Sequence, residues 1–350
     1  MIQVDGSQRS GSGTIVRLAA VLAAAHGRPV RVFNARARRA KPGLRAQHLS
    51  TLRAIAELCD GALEGATENS REFILEPGRS LRGGHFAWDI GTAGSATMLA
   101  LGVLPIACLA PSPLTARITG GVFQDFAPSP FHLQHVLFPL LAKMGIDAEL
   151  EVVRPGYVPA GGGEIELRTN PGRLPLRPIC LVEPGTVEEV AGVALASRLA
   201  ERHVADRMAS ACEERLRSAR LGATIDRKYD ESAAHAGASL AAWVKTSTDC
   251  RLGADRAGAP RRASEAIGRH VASALLADIR SGATVDRHLA DQLVVFAALA
   301  RGTSAWIVPR WTEHLDTNLW LAERFGAVIR CVDRLVEIGG ASVLRKDACS

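Results

Sequence analysis

A strand-like run, a glycine-rich turn and a helix-like run follow one another repeatedly along this chain. Ile2–Asp5 reads as a short strand, Gly6-Ser-Gln-Arg-Ser-Gly-Ser-Gly13 as a turn, and residues 14–25 as an apolar helix. The succession returns with a strand at Val30–Phe33, a Lys41-Pro-Gly43 turn and a helix over 44–59. It returns again with a strand over 85–90 and Gly91-Thr-Ala-Gly-Ser-Ala-Thr97, which opens a helix with Thr92 or Ser95 as its cap. Phe73–Glu76 and residues 114–119, 149–153 and 164–168 supply further strands, and residues 131–144 a further helix after the turn Ala127-Pro-Ser-Pro130. The β–α–β rhythm thus recurs about three times by residue 168. Such a chain buries its helices on sheets, so the expected class is α/β, built from a repeated unit.

From about residue 181 to 281 the texture changes. Residues 187–202 and 204–220 read as charged helices and 224–227 and 240–246 as strands. Residues 250–262 read as a flexible Gly/Ala/Arg loop, and Ser264–Arg280 as a helix. With 15 basic and 14 acidic side chains over 181–280 the segment is nearly neutral. We expect a smaller inserted α/β domain over 181–280, inside a large repeated domain made of 1–180 and 281–350. The main pattern resumes with a helix over 288–300, a strand over 304–308, a helix-like run over 319–325, and strands at Val328–Val332 and 335–338.

At 350 residues and 47% apolar composition the chain can build substantial cores. Its longest apolar run, 98–110, is broken by Gly102 and Pro105 and is too short to span a bilayer. Met1 leads straight into a strand, without a basic or apolar leader, so a soluble cytoplasmic protein is expected. The seven cysteines, 59, 108, 180, 212, 250, 331 and 349, contain no Cys-x-x-Cys pair. That argues against a disulfide framework and a zinc site, and they read as small core residues.

Net charge is +6, carried by 37 arginines and five lysines. Between Gly6 and Ala56 there is no acidic residue, while Arg9, Arg17, Arg28, Arg31, Arg36, Arg38, Arg39, Lys41, Arg45 and Arg53 give ten positive charges. Interleaved with strands and helices, several of these should converge on one surface, and an uncompensated basic surface attracts phosphate. Arg36 and Arg39 flank the entrance of the 44–59 helix, where they can grip phosphate in bidentate fashion. The turn from Gly6 to Gly13 offers free backbone N–H groups at a helix start, a plausible anion site, although it lacks the Walker spacing.

Trp311-Thr-Glu-His-Leu-Asp-Thr-Asn318 lies between a strand and a helix, where function collects in α/β folds. Its His314 belongs to the residue type that titrates near neutrality and can attack phosphorus or accept a proton.

Several motifs then align with one family. They are Asp5-Gly6 with Gly11 and Gly13; Arg36-Ala-Arg-Arg39-Ala-Lys-Pro-Gly43-Leu44 with Gln47-His48; Ile90-Gly-Thr-Ala-Gly-Ser95; Gly120-Gly121; and Leu140-Leu-Ala-Lys-Met-Gly145. Gly156-Tyr-Val-Pro-Ala-Gly-Gly-Gly163, Leu289-Ala-Asp-Gln-Leu293 and His314-Leu-Asp-Thr-Asn318 follow in order. The chain resembles RNA 3′-terminal phosphate cyclases. The resemblance implies repeated βαβαββ-type units, like those of enolpyruvyl transferases, with an inserted α/β domain. It implies ATP-dependent conversion of an RNA 3′-phosphate to a 2′,3′-cyclic phosphate, through a covalent histidine–AMP and an RNA-adenylate, with His314 as nucleophile. By the same resemblance Arg17, Arg36, Arg39, Gln47 and His48 line the triphosphate and RNA-phosphate region. Pro128 and His288 lie near the adenine, and Asp291, Gln292 and Asn318 hold the nucleotide or orient His314. ATP, a divalent metal (magnesium or manganese) and RNA 3′-phosphate ends are the implied cofactors and partners, with no membrane and no obligate protein partner. Gly161, Gly162 and Gly163 read as a tight backbone packing site rather than a ligand site.

The chain departs from the family pattern on the nucleotide side. Ser10 stands where the family's metal-binding Glu is expected, and a hydroxyl is a poor magnesium ligand beside a carboxylate. Arg9, Ser12 and Thr14 also replace usual residues, with Arg9 expected to neutralise triphosphate charge. Leu101 replaces a usual Gln and His288 a usual Tyr. The alternative reading is therefore a weakened or non-catalytic RNA-processing or RNA-binding relative of the same fold. An enolpyruvyl transferase fits the histidine segment and the Ala-Asp-Gln-Leu element poorly.

Overall fold

A computed structural model describes residues 1–341. Its first unit runs β1 (Ile2–Asp5), α1 (Gly13–His26), β2 (Val30–Phe33), α2 (Ala46–Leu58), β3 (Ala62–Glu64) and β4 (Phe73–Glu76). The sheet order is β1-β2-β4-β3: β1 and β2 are parallel, and β4 is antiparallel to both β2 and β3. The second unit runs β5 (Gly84–Asp89), α3 (Ala96–Ala107), β6 (Leu114–Gly120), α4 (Pro130–His132), a π-helical turn (Leu133–Leu137), α5 (Phe138–Met144), β7 (Ala148–Arg154) and β8 (Gly163–Thr169). Its order, β5-β6-β8-β7, and its parallel and antiparallel pairings repeat the first. Two units are complete by Thr169, each holding two passages from strand to helix and back to strand.

A third unit has the same order. It starts with β9 (Cys180–Leu181), but the chain then leaves it for a sheet of different order. That excursion runs β10 (Val187–Ser197), a 3₁₀ turn (Ala200–Arg202), α6 (Val204–Arg217), β11 (Thr224–Asp230), β12 (Gly237–Thr246), β13 (Arg251–Ala257) and α7 (Ser264–Arg280), with sheet order β11-β10-β12-β13. The third unit then resumes through α8 (Leu289–Leu299), β14 (Arg301–Ile307), α9 (Glu313–Arg324), β15 (Val328–Val332) and β16 (Leu335–Ala341). There β9 is parallel to β14, and β16 is antiparallel to both β14 and β15. The fold is α/β with a repeated βαβαββ unit.

Two expected elements are overturned. Residues 187–197 form a strand, not a helix. From Val193 to Ser197 every side chain is buried, and a continuous apolar run carries no periodicity that separates strand from helix. The pairing of β10 with β11 and β12 decides, and a β-carbon at Gly192 would sit 2.5 Å from the Ala241 carbonyl oxygen. The expected loop over 250–262 contains β13, whose Gly, Ala, Asp and Arg have low strand propensity. Its register with β12 and its packing under α7 override that local preference.

The expected 131–144 helix holds a π turn at its centre, and the cause is covalent. Pro139 has no N–H to give the carbonyl of His135. That carbonyl instead accepts from the Arg251 guanidinium at 3.1 Å.

Helix α1 is buried on nearly every face, its Ala19 to Ala25 stretch completely so apart from a trace at Val21. A helix apolar all round belongs in a core, and α2, α3, α8 and α9 pack around it. The glycine turns are packed equally closely. A β-carbon at Gly156 would lie 2.2 Å from Gly163 N, one at Gly163 2.6 Å from Gly156 N, and one at Gly121 2.4 Å from Ala93 O. Gly163 thus makes a close backbone approach. No described helix is long and apolar enough to cross a membrane. Cys59, Cys108, Cys212 and Cys250 are buried, whereas Cys180 and Cys331 are exposed, unlike the expected core cysteines. Exposure follows from their places on short or edge strands. Cys349 lies outside the described residues.

Candidate active site

The N-termini of α1 and α9, some 300 residues apart in sequence, meet in space. At the start of α1, Ser12 caps the helix and its Oγ accepts from Thr14 N at 3.3 Å. At the start of α9, Thr312 Oγ1 accepts from Leu315 N at 3.1 Å. His314 is therefore the second residue of α9, inside the helix and not in a turn before it, because Thr312 starts the helix earlier than the apolar pattern signalled. The positive ends of both helix dipoles favour an anion here.

The turn before α1 and the first residues of that helix lie against α9 and touch it at three points. Arg9 donates to both Asp316 oxygens at 3.0 Å, Ser10 N donates to Thr317 Oγ1 at 3.1 Å, and Thr14 Oγ1 lies 3.1 Å from His314 Nδ1. Ser10 and Ser12 share a hydroxyl–hydroxyl bond of 2.9 Å. The backbone bends sharply to achieve this, with left-handed φ of 49° at Arg9 and 53° at Gly11. The His314 ring reaches solvent. Crowding, then the charges of Arg17 and Arg39, hold its pKa below the ordinary histidine value, so the ring is neutral at pH 7.

The expected basic convergence is present in part. Arg17, Gln47 and His48 line one small pocket with Val16, Thr51, Ser95 and Met98. Its volume of about 10 Å³ is near what one water needs. His48 is buried, and its Nδ1 accepts from Arg45 N at 3.2 Å. Burial, then the charges of Arg36 and Arg17, drive its pKa down to about 3, so it is a neutral wall of the pocket. Gln47 Oε1 accepts from Ser95 N at 3.4 Å. Arg36, with φ of 57°, spends donors on the carbonyls of Lys41 (2.9 Å) and Gly43 (2.6 Å), holding the Lys-Pro-Gly turn. Arg39 is exposed and its charge acts on both Arg36 and His314. Arg31 belongs elsewhere, paired with Glu72 at 2.7 Å.

Helix α8 brings the Asp291 carboxyl into the field of Arg17. Burial lifts the Asp291 carboxyl to about 7 against the pull of Arg17, and burial lowers Arg17 to about 10. Asn318 Nδ2 donates to the Asp291 carbonyl at 2.8 Å. Gln292 Oε1 and Asn318 Oδ1 are buried acceptors without a protein donor among the described residues. His288 is exposed at the N-cap of α8. Its amide and that of Leu289 donate to Asp286 Oδ1 at 2.8 and 2.9 Å. Asp286 Oδ2 accepts from His132 Nε2 at 3.0 Å and Gly253 N at 2.9 Å. One buried carboxylate thus ties α8 to α4 and β13. Pro128, half-buried, precedes the Ser129 cap of α4, whose N donates to Asp255 Oδ2 at 2.7 Å. Leu101 packs against the core.

Sequence reasoning missed Thr14, Asp316, His132 and Asp286. Their partners lie 154 to 307 positions away in sequence, a proximity that a single sequence does not reveal. The turn does not fit a protein-held divalent metal. Its side-chain oxygens belong to Ser7, Gln8, Ser10 and Ser12, with no carboxylate among them, and the nearby Asp316 is committed to Arg9. Among the described residues no three His, Cys, Asp or Glu side chains gather as a metal site.

The family model described as RNA 3′-terminal phosphate cyclase matches residues 8–330, a span that holds every candidate site residue. The chain belongs to the RNA 3′-terminal phosphate cyclase family. The protein of that name from Methylococcus capsulatus is 39% identical over 345 residues, covering 97% of this chain and 94% of the relative. The one from Hyperthermus butylicus is 39% identical over 325 residues (91% and 90%), and the one from Pyrococcus furiosus 36% over 349 residues (99% and 99%). Among solved structures, the enolpyruvyl transferase NikO from Streptomyces tendae aligns with a TM-score of 0.41 at 10% identity. That alignment covers 97% of this chain but 48% of NikO's, a likeness too slight to bear on the chemistry.

Proposed function

We propose that this family member is an ATP-dependent RNA 3′-terminal phosphate cyclase in which His314 carries AMP. The observation that supports this best is a neutral imidazole held at the meeting of two helix N-termini, within the field of Arg17 and Arg39. An imidazole nitrogen attacks the α-phosphorus of ATP and diphosphate leaves. An oxygen of the RNA 3′-phosphate then takes the AMP from the histidine. The adjacent 2′-OH attacks the 3′-phosphorus, loses its proton and expels AMP, closing the 2′,3′-cyclic phosphate. Intramolecular proximity favours this last step.

Arg17, Arg36, Arg39, Gln47 and His48 surround the triphosphate and the RNA phosphate, where guanidinium charge stabilises the oxygens that gain charge in each transfer. The unpartnered Gln292 Oε1 and Asn318 Oδ1 accept from nucleotide donors, since a buried acceptor left unpaired costs about 1–3 kcal/mol. Asp291 holds Arg17 and Asn318 in place, and Pro128 and His288 flank the adenine. The 181–280 segment is an inserted domain, and the protein works on RNA ends in the cytoplasm without an obligate protein partner.

The test is incubation with α-labelled ATP. Acid-labile label on the protein, lost in His314→Ala, and cyclisation of an RNA oligonucleotide bearing a 3′-phosphate are expected. The turn without a carboxylate at Ser10 and the Arg9–Asp316 pair favour one competitor, a weakened or non-catalytic relative. Absence of label with any nucleotide or divalent ion would establish it.

A further inference from the structure

We propose that Thr14 is a positioning residue that fixes which nitrogen of His314 carries the proton, leaving Nε2 as the nucleophile. The inference rests on the reading of His314 as the AMP carrier. Thr14 is 8% exposed and is the second residue of α1. Its backbone N–H is held by Ser12 Oγ, so the start of the helix sets where its side chain stands. Its Oγ1 is 3.1 Å from His314 Nδ1, a bond between residues 300 apart in sequence.

A neutral imidazole has one N–H and one lone pair. With Thr14 against Nδ1, that nitrogen has no room for a phosphorus atom, so chemistry at this ring proceeds through Nε2. For Nε2 to hold the lone pair, the proton must sit on Nδ1, donated to Thr14 Oγ1. The opposite arrangement, with the Thr14 hydroxyl donating to Nδ1, puts the proton on Nε2 and blocks attack. The other hydroxyls nearby are engaged elsewhere: Ser10 and Ser12 with each other, and Thr317 with Ser10 N and the Glu313 carbonyl.

The identity of the acceptor has a chemical consequence. When Nε2 bonds to the α-phosphorus, the bond from phosphorus to the diphosphate oxygen breaks and diphosphate carries away the electron pair. The Nδ1 proton stays on the ring, which becomes cationic. A hydroxyl is too weak a base to remove that proton, whereas a carboxylate would share it. The cationic ring is a good leaving group. When the RNA phosphate oxygen attacks the phosphorus, the electrons of the N–P bond return to Nε2 and the neutral ring is restored, still protonated on Nδ1.

The experiment uses the full chain labelled with ¹⁵N at histidine, with two-bond ¹H–¹⁵N spectra to read the His314 tautomer. Wild type is expected to carry its proton on Nδ1, Thr14→Ser to keep it there, and the near-isosteric Thr14→Val to move it to Nε2. One neutral hydrogen bond shifts such an equilibrium about tenfold, so T14V should take label from α-labelled ATP about tenfold more slowly. T14S should stay within about threefold of wild type. A wild-type ring already protonated on Nε2, or a tautomer unchanged in T14V, overturns the proposal whatever the labelling rate. Should the tautomer follow Thr14 while no label forms on wild type, the positioning role stands and the AMP-carrier reading fails.

Discussion

Adding one methyl group at Gly13 should cost stability through His48 alone. A β-carbon at this position would lie 2.2 Å from His48 Nε2 and 2.8 Å from Cδ2. Ordinary carbon contacts begin near ~3.5 Å, so the ring must retreat by about 1 Å or the start of α1 must move. Retreat is obstructed. His48 is 6% exposed and its far nitrogen is bonded to Arg45 N. Overpacking of this kind costs about 1–3 kcal/mol, while replacing Gly by Ala in a helix returns at most ~1 kcal/mol. The steric effect wins, and Gly13→Ala should lose about 1–2 kcal/mol. Urea unfolding of wild type, G13A, His48→Ala and the double variant isolates the coupling. In the H48A background the methyl group has space, and its cost should vanish or turn into a small gain. An equal cost in both backgrounds would refute the reasoning, because the clash would then lie with something other than the ring. G13A should also weaken ATP labelling, since His48 and Arg17 line the same pocket.

Other perturbations have equally definite outcomes. Because the folded Asp291 pKa, about 7, lies above its unfolded value near 3.8, unfolding releases a proton between these limits. Wild-type stability relative to Asp291→Asn should therefore fall as pH rises from about 4 to about 7, by a few kcal/mol at most, and level off above; a flat difference curve would contradict the assignment. His132→Ala leaves the buried Asp286 carboxylate without its hydrogen-bonding imidazole and should cost about 3 kcal/mol by chemical denaturation, less in an Asp286→Asn background. Arg9→Ala breaks an ion pair whose partners are 45% and 48% exposed, so its stability should stay within about 1 kcal/mol of wild type. Gly163→Ala drives a β-carbon into the Gly156 backbone and should cost about 3 kcal/mol or more, seen as a lowered melting temperature.

Much of the fold was legible because local chemistry and tertiary pairing agree in most segments. Val30–Phe33, Phe73–Glu76 and Ser264–Arg280 have the periodicity and boundaries of the elements they form, and Ser95 does cap α3. The failures are places where neighbours decide. Residues 190–197 lack any period because both faces of β10 are covered, and β13 exists through its partner strand rather than its own residues. The π turn was hidden because Pro139 was read as one more residue in an apolar helix. In the site, Arg17, Gln47 and His48 line one pocket. The readings of Arg36 and Arg9 as phosphate grips missed that each already holds protein acceptors, the turn carbonyls and Asp316. Thr14 gave no sign of its contact with His314, since that proximity comes from the packing of α1 on α9.

The three contacts between the Arg9–Thr14 turn and α9 join residues 300 and 307 positions apart. During synthesis the turn leaves the ribosome some 300 residues before its partner helix. Helix α1 can bury itself against α2 and α3 long before then, because all three belong to the first third of the chain. A nascent chain would thus carry a packed helical core with its Thr14 hydroxyl bare and no histidine beside it. Under the proposed reading of His314 as AMP carrier, a chain interrupted before α9 would be compact yet unable to take label from ATP.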